Sequence, residues 1–384
     1  MTSSLHETSE SPLLRAHGWD AEWQETFTQL ADPGTSPARV LRAERGLCEV
    51  ITAHGPDRVH LLGSPGVGHG LWPTTGDWIS MVPATSSTAA HLGSVLPRRT
   101  LLARATAGGD SQEQALAANV DTVVVAVSLA SPLRHSRTER LLALAWASGA
   151  TPVVALTKAD THPDPEAALE ELGPVALGVR VVATSAETEA GVDELRAAIS
   201  GTVALIGPSG AGKSSLGNRL LGADLLATGE VRAVDGKGRH TTAWRELLPM
   251  PDGGVLLDTP GLRSAGVTGS EEGVSDAFSD LEDLAAQCRF SDCAHTSEPG
   301  CAVQAAISEG TLTERRLQSY RKLQREAERM AARTDARLRS ERLAQMKSMA
   351  HQHRAFALGR GRIEICLQPR VGIVNNVGDG GLPG

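Results

Sequence analysis

The residues Gly207-Pro208-Ser209-Gly210-Ala211-Gly212-Lys213-Ser214 have the spacing G-x-x-x-x-G-K-[ST] of a phosphate-cradling P-loop. Backbone N–H groups in such a loop converge at a helix N-terminus, which favours an anion. Gly207 and Gly212 permit backbone geometry that a side chain would block. Lys213 is placed to reach the β- and γ-phosphates of a nucleotide, and the Ser214 hydroxyl to ligate Mg²⁺. Ser215 completes the expected phosphate contacts. The flanks supply the required context, since Thr202–Ile206 reads as a buried strand and Ser214–Leu221 as a helix.

Three further loops belong with it. Asp258-Thr259-Pro260-Gly261 has the form D-x-x-G and lies 45 residues beyond Lys213, after the strand-like Gly254–Leu257. Asp258 could hold Mg²⁺ through water, and Gly261 could offer its N–H to a γ-phosphate. Thr157-Lys158-Ala159-Asp160 approaches the guanine-reading N-K-x-D, with Thr for Asn. The Asp160 carboxylate matches the two N–H donors of guanine N1 and N2, a pair that adenine lacks. Lys158 would lie against base and ribose, and Ser185-Ala186 would cap guanine O6 through backbone N–H. Between P-loop and D-x-x-G stands Gly236-Lys237-Gly238-Arg239-His240-Thr241-Thr242. There Thr241 or Thr242 could ligate Mg²⁺ as a switch residue; a solvated basic loop is the alternative. Leu262 stands where many GTPases carry a water-orienting Gln. Slow intrinsic hydrolysis is the expectation, with His240 either orienting water or contacting a partner's phosphates. The base reader precedes the P-loop by 50 residues instead of following it. These parts in rotated order imply a circularly permuted GTPase domain.

Cys288, Cys293, His295 and Cys301 form C-x4-C-x-H-x5-C. Three thiolates and an imidazole fit a closed tetrahedral site for one Zn²⁺. Asp, Ser, Pro and Gly between them indicate a loop, against the alternative of packed core cysteines. Cys48 and Cys366 stand alone.

The elements that must position these residues divide the 384-residue chain. Residues 1–38 read as a mobile polar arm with one short helix at Ala21–Leu30. Residues 39–106 carry five strand-like runs, Val40–Ala43, Leu47–Thr52, Val59–Leu62, Trp78–Val82 and Ser94–Leu96, which fit a small β-barrel. Residues 107–275 alternate buried strands and helices, as a parallel sheet covered on both faces requires. Residues 276–350 turn helical and hold the cysteines. Residues 351–384 are expected to be a disordered tail. The segment 311–354 holds 12 Lys and Arg against 5 Asp and Glu, in a chain of net charge −8. It reads either as an RNA-facing surface or as a solvated helix with mixed ion pairs. No run approaches 18 apolar residues and no signal peptide is evident, so a soluble cytoplasmic chain is expected.

Together these motifs resemble one family, the bacterial ribosome small-subunit-dependent GTPase A family, RsgA or YjeQ. The resemblance spans roughly residues 38–350. It is carried by the reader-first order, G-P-S-G-A-G-K-S-S, G-R-H-T-T, D-T-P-G-L and C-R-F-S-D-C-A-H…E-P-G-C. Leu96-Pro97-Arg98-Arg99 and Ala117-Ala118-Asn119-Val120-Asp121 add to it. It implies an N-terminal OB-fold barrel, a permuted α/β P-loop GTPase and a C-terminal α-helical zinc domain. It also implies a late assembly factor that binds GTP or GDP, acts as a monomer, docks on the 30S subunit and its 16S rRNA, and leaves on hydrolysis. Thr157, the arm and the tail depart from the pattern. Two other readings remain open from the residues alone: a P-loop ATPase or kinase, and an RNA scaffold that keeps GTP as a structural ligand.

Overall fold

Apolar residues at alternate positions close the first five strands on themselves. The computed structural model describes residues 11–44, 46–61, 72–105, 113–226, 246–258 and 271–329. Strands β1 (Ser36–Glu44), β2 (Leu47–Thr52), β3 (Gly55–His60), β4 (Trp78–Val82) and β5 (His91–Val95) form a closed barrel in the order β1-β2-β3-β5-β4. β1 is long enough to pair with both β2 and β4, and a bulge between Val40 and Arg42 bends it to do so. Val40, Val50, Val59, Ile79 and Leu92 fill the interior, and Cys48 is one of these core residues.

The segment expected to be a mobile arm is folded from Ser11 onward. Helix α1 (Pro12–Ala16) is capped by Ser11, and α2 (Ala21–Leu30) by Asp20, whose carboxylate accepts from Trp23 N at 2.8 Å. Leu14, Trp19, Trp23 and Phe27 pack on Trp78 and Leu96 of the barrel. Trp19 meets Trp78 edge-on at 4.7 Å. Arg99 stacks on Trp23 at 4.1 Å and pairs with Asp20 at 2.7 Å. The spacing 19, 23, 27 is an aromatic stripe at helical period, and its burial outweighs the polarity of the surrounding residues.

Next comes a hairpin that the sequence patterning did not show, β6 (Leu101–Ala105) with β7 (Glu113–Ala118). The central sheet runs β10-β9-β8-β11-β13-β12. Its members are β8 (Thr122–Ser128), β9 (Thr151–Thr157), β10 (Arg180–Ala183), β11 (Thr202–Ile206), β12 (Glu246–Pro249) and β13 (Val255–Asp258). All pairings are parallel except β12 with β13. Helices α3 (His135–Ala147), α4 (Pro165–Leu172), α5 (Val192–Ala198) and α6 (Lys213–Leu221) cover it. Numbered from the P-loop strand β11, the order reads 6-5-4-1-3-2. The chain therefore keeps a GTPase sheet and moves its ends.

Buried Arg39 of β1 joins barrel to sheet. Its guanidinium donates to Thr202 Oγ1 at 2.8 Å, to Gly76 O and Asn119 O at 3.3 Å, and to His17 O. Burial lowers its pKa to about 10, so it remains cationic at neutral pH. Gly76, at φ +94°, lies so close to Ala118 that a Cβ would sit 2.1 Å from its carbonyl oxygen. Only glycine allows that approach.

The C-terminal helices are α7 (Glu271–Ala277), α8 (Ser279–Ala285), α9 (Ala302–Glu309) and α10 (314–329). Phe278, Leu281, Val303 and Leu317 share one core with Val123, Val125, Leu142 and Ala143 of the GTPase domain. Fully buried Glu139 of α3 accepts from Arg315 and Arg316 of α10, each at 3.1 Å. Arg316 also holds Asp280 at 2.6 Å and 2.7 Å. Part of the basic segment expected to face RNA is therefore an internal clamp. The remainder of that segment, beyond residue 329, lies outside the described residues, as does the expected tail. No described helix is long and apolar enough to cross a membrane.

The folded arm yields a test. Trp23→Ala should lower stability by about 3–5 kcal/mol, the usual cost of truncating a buried Trp. Urea unfolding of the full chain reads this directly; an unchanged midpoint would restore the mobile-arm expectation.

Candidate nucleotide site and metal cluster

β11 ends at Ile206 and the chain turns at once into the P-loop. Gly207 has φ +145°, and a Cβ there would lie 2.6 Å from Ala126 O of neighbouring β8. The Lys213 ammonium lies within the loop, donating to Gly207 O at 2.8 Å and Pro208 O at 2.7 Å. Ser214 and Ser215 begin α6 behind it. β13 runs parallel to β11 with Leu257 opposite Ala204, which brings Asp258 to the same end of the sheet as the P-loop. The switch residues Gly236–Thr242, with His240, Thr241 and Thr242, lie outside the described residues. So do Gly261 and Leu262.

A cavity of about 510 Å³ opens beside the P-loop, lined among others by Lys158, Asp160, Ala186, Gly212, Ser215 and Asn218. That volume suits a small-molecule site. The residues predicted to read the base thus meet the phosphate loop in one cavity. Asp160 Oδ1 accepts from Ser185 Oγ at 2.5 Å. Ser185 Oγ in turn accepts from Glu187 N and Thr188 N, so the carboxylate is aimed by a turn that is itself braced. Asp160 Oδ2 has no hydrogen-bond partner among the described residues.

Thr157 has a different task from the one its motif position gave it. Its buried hydroxyl donates to Ala211 O at 2.7 Å. It ties the reader loop to the P-loop, a bond that needs one donor and no amide. Lys158 follows in the left-handed region at φ 59°. Sequence reasoning missed Arg219 of α6. Its Nε donates to Ala186 O at 2.7 Å, and Nη1 lies 3.6 Å from Glu189. Arg219 therefore fixes the Ser185-Ala186 turn against the helix that follows the P-loop. No local motif marks it, because the contact spans 33 residues.

The Cys/His cluster is assembled on the C-terminal helices. Cys288 follows α8, Cys301 caps α9, and the ligand atoms of Cys288, Cys293, His295 and Cys301 all lie within 4.8 Å of one another. Cys288 Sγ and Cys301 Sγ are 3.8 Å apart, and each is 3.5 Å from His295 Nδ1. A tetrahedron with sulfur at about 2.3 Å from its centre has edges of about 3.8 Å, so the donor set fits a tetrahedral metal. His295, at φ 56°, turns its ring inward, while its carbonyl oxygen accepts from Gln304 Nε2 and from Arg321 Nη2 at 2.9 Å. Glu298 accepts from the backbone N–H groups of Ala294, Thr296 and Ser297. Glu298's own backbone N–H, together with these bonds, holds its carboxyl at about 2.

Two tests follow from this geometry. Asp160→Asn should weaken GTP binding by roughly 10–100-fold, as loss of a charge-assisted bond pair implies, and favour XTP. Equal binding of GTP and ATP to the unaltered chain would overturn the base reader. Freshly prepared protein should carry about one zinc per chain, which Cys293→Ser should lose while keeping GTP affinity. Elemental analysis finding no metal would remove the site.

Comparison with known proteins agrees with this arrangement. The RsgA GTPase family model matches residues 95–268. The small ribosomal subunit biogenesis GTPase RsgA of Streptomyces coelicolor is 47% identical over 368 residues, covering 95% of this chain and 98% of that protein. The protein of the same name from Streptomyces avermitilis is 49% identical over 338 residues, with 87% and 91% covered. Among solved structures, YjeQ from Thermotoga maritima superposes with a TM-score of 0.57 at 27% identity, over 76% of this chain and 98% of that one. YloQ, a circularly permuted GTPase, gives 0.56 at 22% identity over 78% and 97%, a likeness of fold. A chain that keeps nearly half its residues in common with these relatives over almost its whole length belongs to the RsgA GTPase family.

Proposed function

We propose that this chain is a GTP hydrolase that acts late in assembly of the 30S ribosomal subunit, binds its 16S rRNA and is released on hydrolysis. As a member of the RsgA family it is a GTPase of small-subunit biogenesis. The finer reading assigns residues 39–106 to RNA binding as an OB-type barrel, 107–275 to the nucleotide and 276–350 to a metal-stapled module. It takes the chain to be a cytoplasmic monomer.

One observation carries this reading. Twelve residues, 259–270, join Asp258 at the nucleotide end of β13 to α7. α7 begins the module whose α10 is clamped to Glu139 of α3. Gly261 lies in that short link. A γ-phosphate contact at Gly261 therefore acts on a segment held at both ends, and its loss on hydrolysis is transmitted to the module and to any RNA it holds.

In this scheme Gly207–Ser215 bind the phosphates, with Lys213 neutralising the β- and γ-oxygens. Asp160, Lys158, Ser185 and Ala186 select guanine. Ser214, Thr242 and Asp258 are the residues that would hold Mg²⁺, which neutralises developing charge when bound. Cys288, Cys293, His295 and Cys301 would hold one Zn²⁺, which cross-links a loop region with little core of its own. Leu262 cannot orient water, so His240 takes that role beside the switch threonines.

Isolated protein should therefore turn over GTP slowly, and purified 30S particles should raise the rate by orders of magnitude, on the order of 10³-fold where partners complete a GTPase site. Turnover measured with 30S, 50S and 70S particles tests this; an isolated chain already fully active and indifferent to 30S would refute it. His240→Ala should lower the stimulated rate with GTP affinity unchanged. If it lowers 30S affinity alone, His240 contacts RNA instead.

A further inference from the structure

A second cavity, of about 300 Å³, adjoins the nucleotide cavity on the α3 side of the P-loop. Pro208, Ser209, Gly210 and Ala211 of the P-loop form one wall, and Lys158 borders both cavities. The facing wall is the start of α3, with Arg134 and Arg137. The lining holds these three cations and no acidic residue.

The arginines differ from every other charged residue of α3. His135 pairs with Glu171 at 3.1 Å, Arg140 with Glu326 at 2.9 Å, and Glu139 with Arg315 and Arg316. Arg134 and Arg137 are exposed, and their side chains make no hydrogen bond or ion pair with any described residue. Nor does an acid stand in the first turn of α3 to offset them. Cations at this end of a helix oppose its dipole, so the placement costs stability and local packing does not repay it.

We infer that Arg134 and Arg137 form a docking site for backbone phosphates of folded RNA, which seats the RNA directly against the P-loop tip. The inference rests on the reading of the small subunit as partner. Charge complementarity selects the occupant. In a chain of net charge −8, RNA approach depends on local clusters of unneutralised cations. Guanidinium forks match phosphate oxygens two at a time. Ser209 and Gly210 at the P-loop tip are exposed, so a strand can reach this wall. A phosphate held there touches the loop that cradles the nucleotide and neighbours Lys158, which also borders the base cavity. RNA docking is thereby relayed to the nucleotide through a short path.

The test uses full-length protein bound to a non-hydrolysable GTP analogue and measures 30S affinity across a salt series. Arg134→Ala/Arg137→Ala should weaken 30S binding about tenfold or more, and reduce the slope of log K against log salt by about 2, near one for each phosphate no longer neutralised. Arg134→Lys/Arg137→Lys should keep the slope, because the charges remain. GTP affinity and unstimulated turnover of the double alanine variant should stay within about twofold of wild type, as expected of residues outside the nucleotide cavity. Unchanged 30S affinity and slope in the alanine variant would overturn the site while leaving the proposed function standing. Loss of GTP affinity in the isolated variant would also overturn it, by making the arginines nucleotide ligands. Failure of wild-type protein to bind 30S at all would end the proposed function and this inference with it.

Discussion

A fully buried carboxylate governs how this molecule is put together. Glu139 sits in the middle of α3 with no access to water, and two guanidiniums from α10 meet it there. Arg316, only 3% exposed at its side chain, is itself shared with Asp280 and lies over Phe278 at 4.7 Å. Removing one partner of such a set leaves an uncompensated charge, at a cost of about 3–5 kcal/mol. The geometry that satisfies all four charges fixes α8 and α10 on the GTPase domain. Apolar contacts alone would tolerate sliding of the helices; directional bonds to a buried carboxylate do not. The clamp therefore specifies where the Cys/His module stands, as the coupling proposed through the link 259–270 requires.

Arg39 plays the matching part at the start of β11. It donates to Thr202, the first residue of the strand whose last residue, Ile206, leads into the P-loop. Barrel, arm and sheet meet at one guanidinium, braced by the Asp77–Arg98 pair at 2.8 Å and by Asn119. Both joints use buried arginine, whose planar fork can satisfy several carbonyls or carboxylates from different elements at once. Barrel and C-terminal helices are thereby each fixed to the central sheet domain.

What the sequence disclosed follows the range of the interactions involved. Motifs whose chemistry is contiguous, the P-loop and C-x4-C-x-H-x5-C, were legible because backbone geometry and ligand spacing are local. Buried strands such as β8 and β11 were legible from continuous apolar runs. The β6–β7 hairpin was not, since Leu101–Ala105 and Glu113–Ala118 lack a clear alternation. α2 was legible at Ala21–Leu30, but α1 and the docking of both helices on the barrel were not, because polar residues outnumber the aromatic stripe that anchors them. Glu139, Arg39 and Arg219 were invisible for a common reason: each acts across many residues of sequence, and a charged side chain on a helix or strand reads as solvent-facing until its distant partner is known. Within the basic segment, the contacts of Arg315 and Arg316 with Glu139 were hidden for the same reason.

The departure at Thr157 shows how nucleotide reading and phosphate binding are joined. An Asn at that position would carry two N–H donors and an acceptor; Thr carries one donor, and the structure uses it on Ala211 O. Asp160, the proposed base reader, is aimed by Ser185, whose turn is pinned by Arg219 of the helix that begins at Lys213. Reader loop and P-loop are thus tied directly through Thr157 and indirectly through α6. Displacing either loop strains the other, because each bond is short and at least partly shielded from water, where its loss leaves an unsatisfied polar group. A displacement of the P-loop is therefore felt at Thr157 and, through the reader loop, at Asp160. The permutation leaves this pairing intact, since it relocates only the chain ends, and it places the clamped module next in sequence after the strand that ends at Asp258. Under the proposed function, guanine recognition stays with the sheet, and sensing of the γ-phosphate passes to the link that joins Asp258 to the clamped helices.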